Sequence, residues 1–194
     1  MPTKPFRIRI LVVDDEPSVL EMMSTLLESR GFDVRTAHDG FAGLATLRET
    51  LPDMIISDLR MPNMSGFEFL SIVRRRFPHI PIIVISGDFV LNGVPAGRMM
   101  DLFLQKGGYS QDELCAHIER LIKESPIRPH LAKVDGCPLW IPRREVGYVV
   151  VTCMECLRSF PADDISQGDE VRTTHCPACN AEVKYLVDSV TWQN

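Results

Sequence analysis

Three aspartates, a serine and a lysine occupy positions where chemistry can be done. Asp14 and Asp15 follow the apolar run Ile8–Val13, and Asp58 follows Met54–Ser57. Ser86 closes the run Pro81–Ser86, and Lys106 follows Leu102–Gln105. Ligands of open α/β sheets bind beyond the C-terminal ends of the strands, near the switch point in strand order. If these runs share one parallel sheet, the five residues meet at one rim. Carboxylates packed that closely repel and need a cation. Oxygen ligands with room for waters suit Mg²⁺, which prefers octahedral geometry and shares its shell with phosphate. A carboxylate beside such an ion can attack a phosphoryl donor to give an acyl phosphate. The metal, the Lys106 ammonium and the Ser86 hydroxyl would neutralise charge on the transferred oxygens. Any one aspartate would serve equally as a helix cap or a solvated loop residue; five residues at matched strand ends favour a joint site.

A second constellation is made of thiols. Cys153-Met-Glu-Cys156 and Cys176-Pro-Ala-Cys179 are separated by nineteen residues, the spacing of a structural Cys₄ zinc site. Val149–Thr152 leads into the first pair, Val171–Thr174 into the second, and Val183–Val187 runs out of it, which predicts a small antiparallel sheet. The layout resembles a zinc ribbon. So small a segment lacks the core to fold alone, so Zn²⁺ binding would contribute its folding free energy. Asn180 tolerates the left-handed turn such knuckles need, whereas Leu157 predicts a less regular first turn. Iron in the same ligand set, a redox dithiol pair, and His175 replacing a cysteine are the alternatives. Cys115 reads as a small buried hydrophobe, and Cys137 carries no assigned role.

The elements that must position these residues are legible from periodicity. The five β-branched runs, with Phe32–Thr36 as the second, alternate with helical patterns. Pro17 and Ser18 open the first helix, whose apolar positions are Leu20, Met23, Leu26 and Leu27. Ala42, Leu44, Ala45 and Leu47 mark the second, and Phe67, Phe69, Leu70, Ile72 and Val73 the third. Arg74–Arg76 fall in the last turn of that helix, the end that favours cations. Leu114, Ile118, Leu121 and Ile122 mark the last. Such alternation predicts a doubly wound parallel sheet with helices on both faces. In the order 2-1-3-4-5, the first and third strands are neighbours and the three carboxylates converge. Gly93, Pro95 and Gly97 oppose a regular fourth helix and predict a short or distorted element. The expected units are a domain over 6–124, a stiff Pro-rich linker over 125–145, and a cysteine module over 146–194.

Residues 6–122, about 60% of the chain, resemble the receiver domain of two-component response regulators. Leu-Val-Val-Asp14-Asp15-Glu16-Pro17 resembles the acidic motif of that family. Asp58-Leu-Arg-Met61-Pro62-Asn-Met-Ser-Gly66 resembles its phosphoacceptor strand and following loop. Ser86 and Lys106 match its hydroxyl and lysine positions, and Phe103 its aromatic switch. The resemblance implies a flavodoxin-like fold and a phosphorelay role, with Asp58 accepting a phosphoryl group from the phosphohistidine of a histidine kinase or phosphotransfer protein. It implies that Asp15, Asp58 and the backbone carbonyl of Arg60 hold Mg²⁺ directly, with Asp14 acting through water. Phosphorylation would draw Ser86 and Phe103 inward and remodel the face of the fourth and fifth strands. Two departures stand out. Gly107-Gly108 replaces the proline that usually follows the lysine, which loosens that loop, and Met99-Met100 replaces a Gly-Ala pair before the fifth strand.

Composition limits the partners. The 194 residues are 45% hydrophobic and 24% charged, with a net charge of −5. That charge divides into −3 over 1–122 (13 basic, 16 acidic), +2 over 123–145 (5 basic, 3 acidic) and −4 over 146–194 (3 basic, 7 acidic). An acidic tail, made more negative by four thiolates around one Zn²⁺, disfavours nucleic acid as a partner. Protein recognition is expected instead, through the reshaped receiver face or through the zinc module, with Trp192 and Tyr185 as candidate apolar anchors. A DNA-binding regulator and an unphosphorylated scaffold are the alternatives. No run approaches the ~20 apolar residues that cross a bilayer, and Met1–Ile10 lacks the pattern of a signal peptide. The expected place is the cytoplasm, where six cysteines point to metal or free thiols. No glycine-rich nucleotide loop or Ser-His-Asp layout occurs, so no separate enzymatic output is expected. Homodimerisation is left open.

Overall fold

The computed structural model describes residues 7–87, 99–124, 139–142, 148–163 and 171–188. Its first unit runs β1 (Arg9–Val13), α1 (Pro17–Ser29), β2 (Asp33–Ala37), α2 (Gly40–Glu49), β3 (Met54–Ser57), α3 (Gly66–Arg76), β4 (Ile82–Ser86), β5 (Leu102–Gln105) and α4 (Gln111–Glu124). All five strands are parallel, in the order β2-β1-β3-β4-β5. This is the doubly wound sheet that the alternating pattern predicts.

Side chains alternate across a strand, and β1 shows how that builds two layers. Ile10 and Val12 face the core shared with Met23 and Leu27 of α1 and with Leu114, Ile118 and Leu121 of α4. Leu11 and Val13 face the opposite core, with Leu44 and Leu47 of α2 and Phe69, Leu70 and Val73 of α3. The central strands are buried on both faces, which is why their sequences are continuous apolar runs. Helix starts follow local chemistry. Pro17 sits in the first turn of α1, where its missing N–H costs nothing. Asp39 caps α2 by accepting from Ala42 N at 2.8 Å. Ser65 and Glu68 form a reciprocal capping box on α3.

Arg74, read from sequence only as a favourable last-turn cation, does more. Its guanidinium bonds Asp101 at 2.9 Å and the carbonyls of Pro78, Ile80 and Met99, while Asp101 accepts Ile82 N at 2.7 Å. The pair ties the end of α3 to the start of both β4 and β5. The predicted distorted fourth helix falls mainly on 88–98, outside the described residues.

The second unit contains β6 (Leu139–Pro142), β7 (Tyr148–Thr152), β8 (Ser159–Asp163), β9 (Arg172–His175) and β10 (Glu182–Asp188). It differs from the single antiparallel sheet predicted. β9 and β10 are antiparallel, but β6 joins β10 in parallel, and β7 pairs with β8 as a separate hairpin. The expected linker 125–145 therefore contains a strand. Prolines at 138 and 142 mask it in the sequence, yet Leu139 and Ile141 are buried two apart, as on one face of a strand. Tyr185, a candidate surface anchor, is only 4% exposed and belongs to the core, so it anchors no partner. Trp192 and Cys137 lie outside the described residues, and Cys115 is buried as expected.

Candidate functional site

The sheet ladder carries the acidic residues to one rim. Asp14 N donates to Ala37 O, Asp58 N to Val13 O and Lys106 N to Ser86 O, at 2.9–3.1 Å. Each bond extends the strand pairing by one residue, so side chains far apart in sequence are held by backbone register. Carboxylate oxygens of Asp14, Asp15 and Asp58 all lie within 4.8 Å of one another. Lys106 Nζ bridges two of them, 2.8 Å from Asp58 Oδ2 and 3.0 Å from Asp14 Oδ2. Asp58 Oδ1 accepts Leu59 N at 2.6 Å and Arg60 N at 3.4 Å. Asp14 and Asp58 are buried, and Asp15 is exposed.

Burial pushes the Asp14 carboxyl above the usual carboxylate range, against the Glu16 N–H and Lys106, which favour the charged form. Lys106 is likewise buried in part, which lowers its basicity, but its bonds to Asp58 and Asp14 prevail and raise it. One ammonium among three carboxylates leaves negative charge uncompensated. The donor set of hard oxygens, one of them open to water, fits Mg²⁺. A cavity of about 160 Å³ opens beside the cluster, with Met22 and Tyr109 on its wall. Tyr109 carried no sequence signal beyond standing three residues after Lys106; burial raises its phenol.

Two glycines make this geometry attainable. A Cβ on Gly66 would overlap the carbonyl oxygen of Asp58, so the start of α3 can approach the end of β3 this closely only as glycine. Gly107, where the family usually has proline, takes φ +78°, and Gly108 N closes a turn on Gln105 O at 2.9 Å. With a left-handed glycine after it in place of proline, Lys106 still reaches Asp58. Ser86 is buried at the end of β4, and Phe103 is half-buried against the core beside α3.

The four cysteines also meet. Cys153, Cys156, Cys176 and Cys179 place their sulfurs within 4.8 Å of one another, with Cys153–Cys179 at 3.5 Å and Cys156–Cys176 at 3.6 Å. A tetrahedral ion with Zn–S bonds of ~2.3 Å needs sulfurs about 3.8 Å apart, so the donor set fits Zn²⁺. Burial pushes the Cys153 thiol up to about 12. Against burial, which raises it, Cys176 is drawn down to about 7 by the N–H groups of Ala178 and Cys179. The two knuckles are alike. Leu157 N and Asn180 N each bond back to the first cysteine of their pair at 2.9 Å, with φ of 56° and 58°. The irregular first turn expected from Leu157 is not found: its buried side chain offsets a left-handed backbone. His175 is exposed and outside the cluster.

Comparison with known proteins covers the first unit. The family described as "Response regulator receiver domain" matches residues 10–119. "Probable transcriptional regulatory protein TcrX" of Mycobacterium tuberculosis is 37% identical over 62% of this chain and 52% of its own length. "DNA-binding response regulator MtrA" of Mycolicibacterium smegmatis is 33% identical over 72% of this chain and 62% of its own. The chain thus spans about half to three fifths of these relatives' lengths. Among solved structures, the chemotaxis protein CheY4 of Vibrio cholerae is 30% identical, with a TM-score of 0.55, covering 60% of this chain and 99% of that one. The aspartate-lysine rim, the strand order and these likenesses together show that the chain belongs to the response regulator receiver family.

Proposed function

We propose that the protein is a phosphorelay component in which Asp58 takes a phosphoryl group from a partner's phosphohistidine. The observation that supports it most strongly is the Lys106 ammonium bridging Asp58 and Asp14. In the step, a carboxylate oxygen of Asp58 attacks phosphorus, an O–P bond forms, and the N–P bond breaks as the imidazole leaves. Asp15, Asp58 and the Arg60 carbonyl would hold Mg²⁺, with Asp14 acting through water; the ion supplies charge neutralisation for the transferred oxygens. Lys106 and the Ser86 hydroxyl stabilise the same oxygens from the other side, and Phe103 follows Ser86 as the switch. The receiver would promote its own transfer. The test is intact mass after incubation with Mg²⁺ and a small phosphodonor. A gain of one phosphoryl group, lost in Asp58→Asn, is expected; no gain would leave the scaffold reading.

The Cys₄ cluster is proposed to hold Zn²⁺ as a structural ion, and the module to serve protein recognition. A second output has a specific observation behind it. Curated relatives are named as DNA-binding regulators, which runs against the expectation that nucleic acid is disfavoured. Salt-dependent binding to random duplex would establish DNA as the module's partner; its absence in the zinc-loaded chain would favour protein.

A further inference from the structure

We infer that the ion of the Cys₄ cluster holds the C-terminal unit onto the receiver, so that metal occupancy decides whether the ends of α2 and α3 are covered. The inference rests on the reading of the four cysteines as a metal site. The contact is built from the last turns of two helices and one knuckle. Arg48, near the end of α2, donates from Nη1 to the carbonyl oxygen of Leu157 at 3.0 Å. Arg76, the last residue of α3, lies 3.7 Å from Glu155 through Nη2 and Oε2. Both acceptors flank Cys156, one of the four ligands.

Leu157 is the critical residue. Its left-handed backbone is one that leucine rarely adopts, and such a conformation persists only where the surroundings over-determine it. Its N–H closes the knuckle on Cys153 O, and its carbonyl is then presented to Arg48. An ion bound to Cys153 and Cys156 would clamp the two ends of that turn. Without it, the thiols have no common partner, and the carbonyl loses the orientation that Arg48 reads. Ala178 of the second knuckle lines the same cleft of about 440 Å³ as Arg48, Arg76, Phe77 and Arg158. Both halves of the cluster therefore border the receiver. β6 lies beside α3, and Leu139 and Ile141 continue the apolar core between the units.

The test is amide hydrogen exchange on the full chain, with metal content measured on each sample. Three samples are compared: zinc-loaded, chelator-stripped, and zinc-loaded Arg48→Ala/Arg76→Ala. The amides followed are Thr50, bonded to Thr46 O, and Phe77, bonded to Val73 O, at the ends of α2 and α3. Stripping is expected to speed their exchange at least tenfold, while amides of β1 and β3 stay protected. The double variant should retain one zinc per chain, yet exchange at least threefold faster at the same amides. Unchanged exchange after demonstrated zinc removal would overturn the inference, as would equal acceleration in β1 and β3, which marks unfolding. A chain that never holds zinc would be recognised by the metal assay alone; it would remove the metal reading and this inference with it.

Discussion

In residues 7–124 the acidic cluster sits at the rim of a sheet whose central strands are buried on both faces. In residues 139–188 the sulfur cluster is itself where the chain turns, and the strands around it form one three-stranded and one two-stranded sheet. Each cluster gathers groups that cannot all ionise side by side without a cation. The receiver has an apolar core that places Asp14 and Asp58 whatever the ion does, and Lys106 already supplies one positive charge. In the cysteine unit, Cys153 and Cys176 of the cluster are themselves part of the buried core. On the proposed function, a cation would be a reagent in one unit and a structural member in the other.

The largest effect is expected from a change in the cysteine unit. Cys176→Ser is expected to abolish zinc retention and the protease resistance of residues 148–163 and 171–188, while circular dichroism of the receiver helices persists. Zinc-free protein with an intact C-terminal unit would contradict this. Next comes Gly66→Ala, which places a methyl group on the Asp58 carbonyl. Such overlap should cost the receiver about 2–4 kcal/mol, read as a lowered denaturation midpoint without zinc loss. Gly107→Ala forces a left-handed alanine and should cost about 1–2 kcal/mol. It should also slow phosphoryl uptake by displacing Lys106, which a phosphodonor time course would measure.

The smallest effect concerns acid. The folded-state pKa of Asp14 is raised, chiefly by burial, so its protonated form favours the fold. That contribution is full below the ordinary carboxylate pKa and is lost as pH rises through the raised value. On the proposed function, Mg²⁺ would favour the ionised form and should relieve the loss. Added Mg²⁺ is therefore expected to raise the melting temperature more at pH 7 than at pH 4, by calorimetry. An equal shift at both would show that Asp14 does not feel the ion.

The receiver was legible because its signal is repeated. Continuous apolar runs between helical patterns, turn chemistry before α1 and α3, and five polar residues at strand ends agree on one arrangement. What the sequence hid was interaction at a distance. Arg74 and Asp101 look like ordinary surface charges until α3 and β5 are placed beside each other. Leu157 breaks a local backbone preference that only its buried surroundings and the Arg48 contact make tenable. Leu139–Pro142 reads as linker because its proline content outweighs two buried aliphatic positions. In each case the deciding partner lies many residues away, where periodicity carries no information.

The most direct test of the whole account is phosphoryl uptake by the full chain, followed by intact mass, with each cation withdrawn in turn. Removing Mg²⁺ should abolish uptake, and removing zinc while Mg²⁺ is kept should leave its extent unchanged. Uptake that ignores Mg²⁺, or that fails once zinc is gone, would contradict the division of roles between the two clusters.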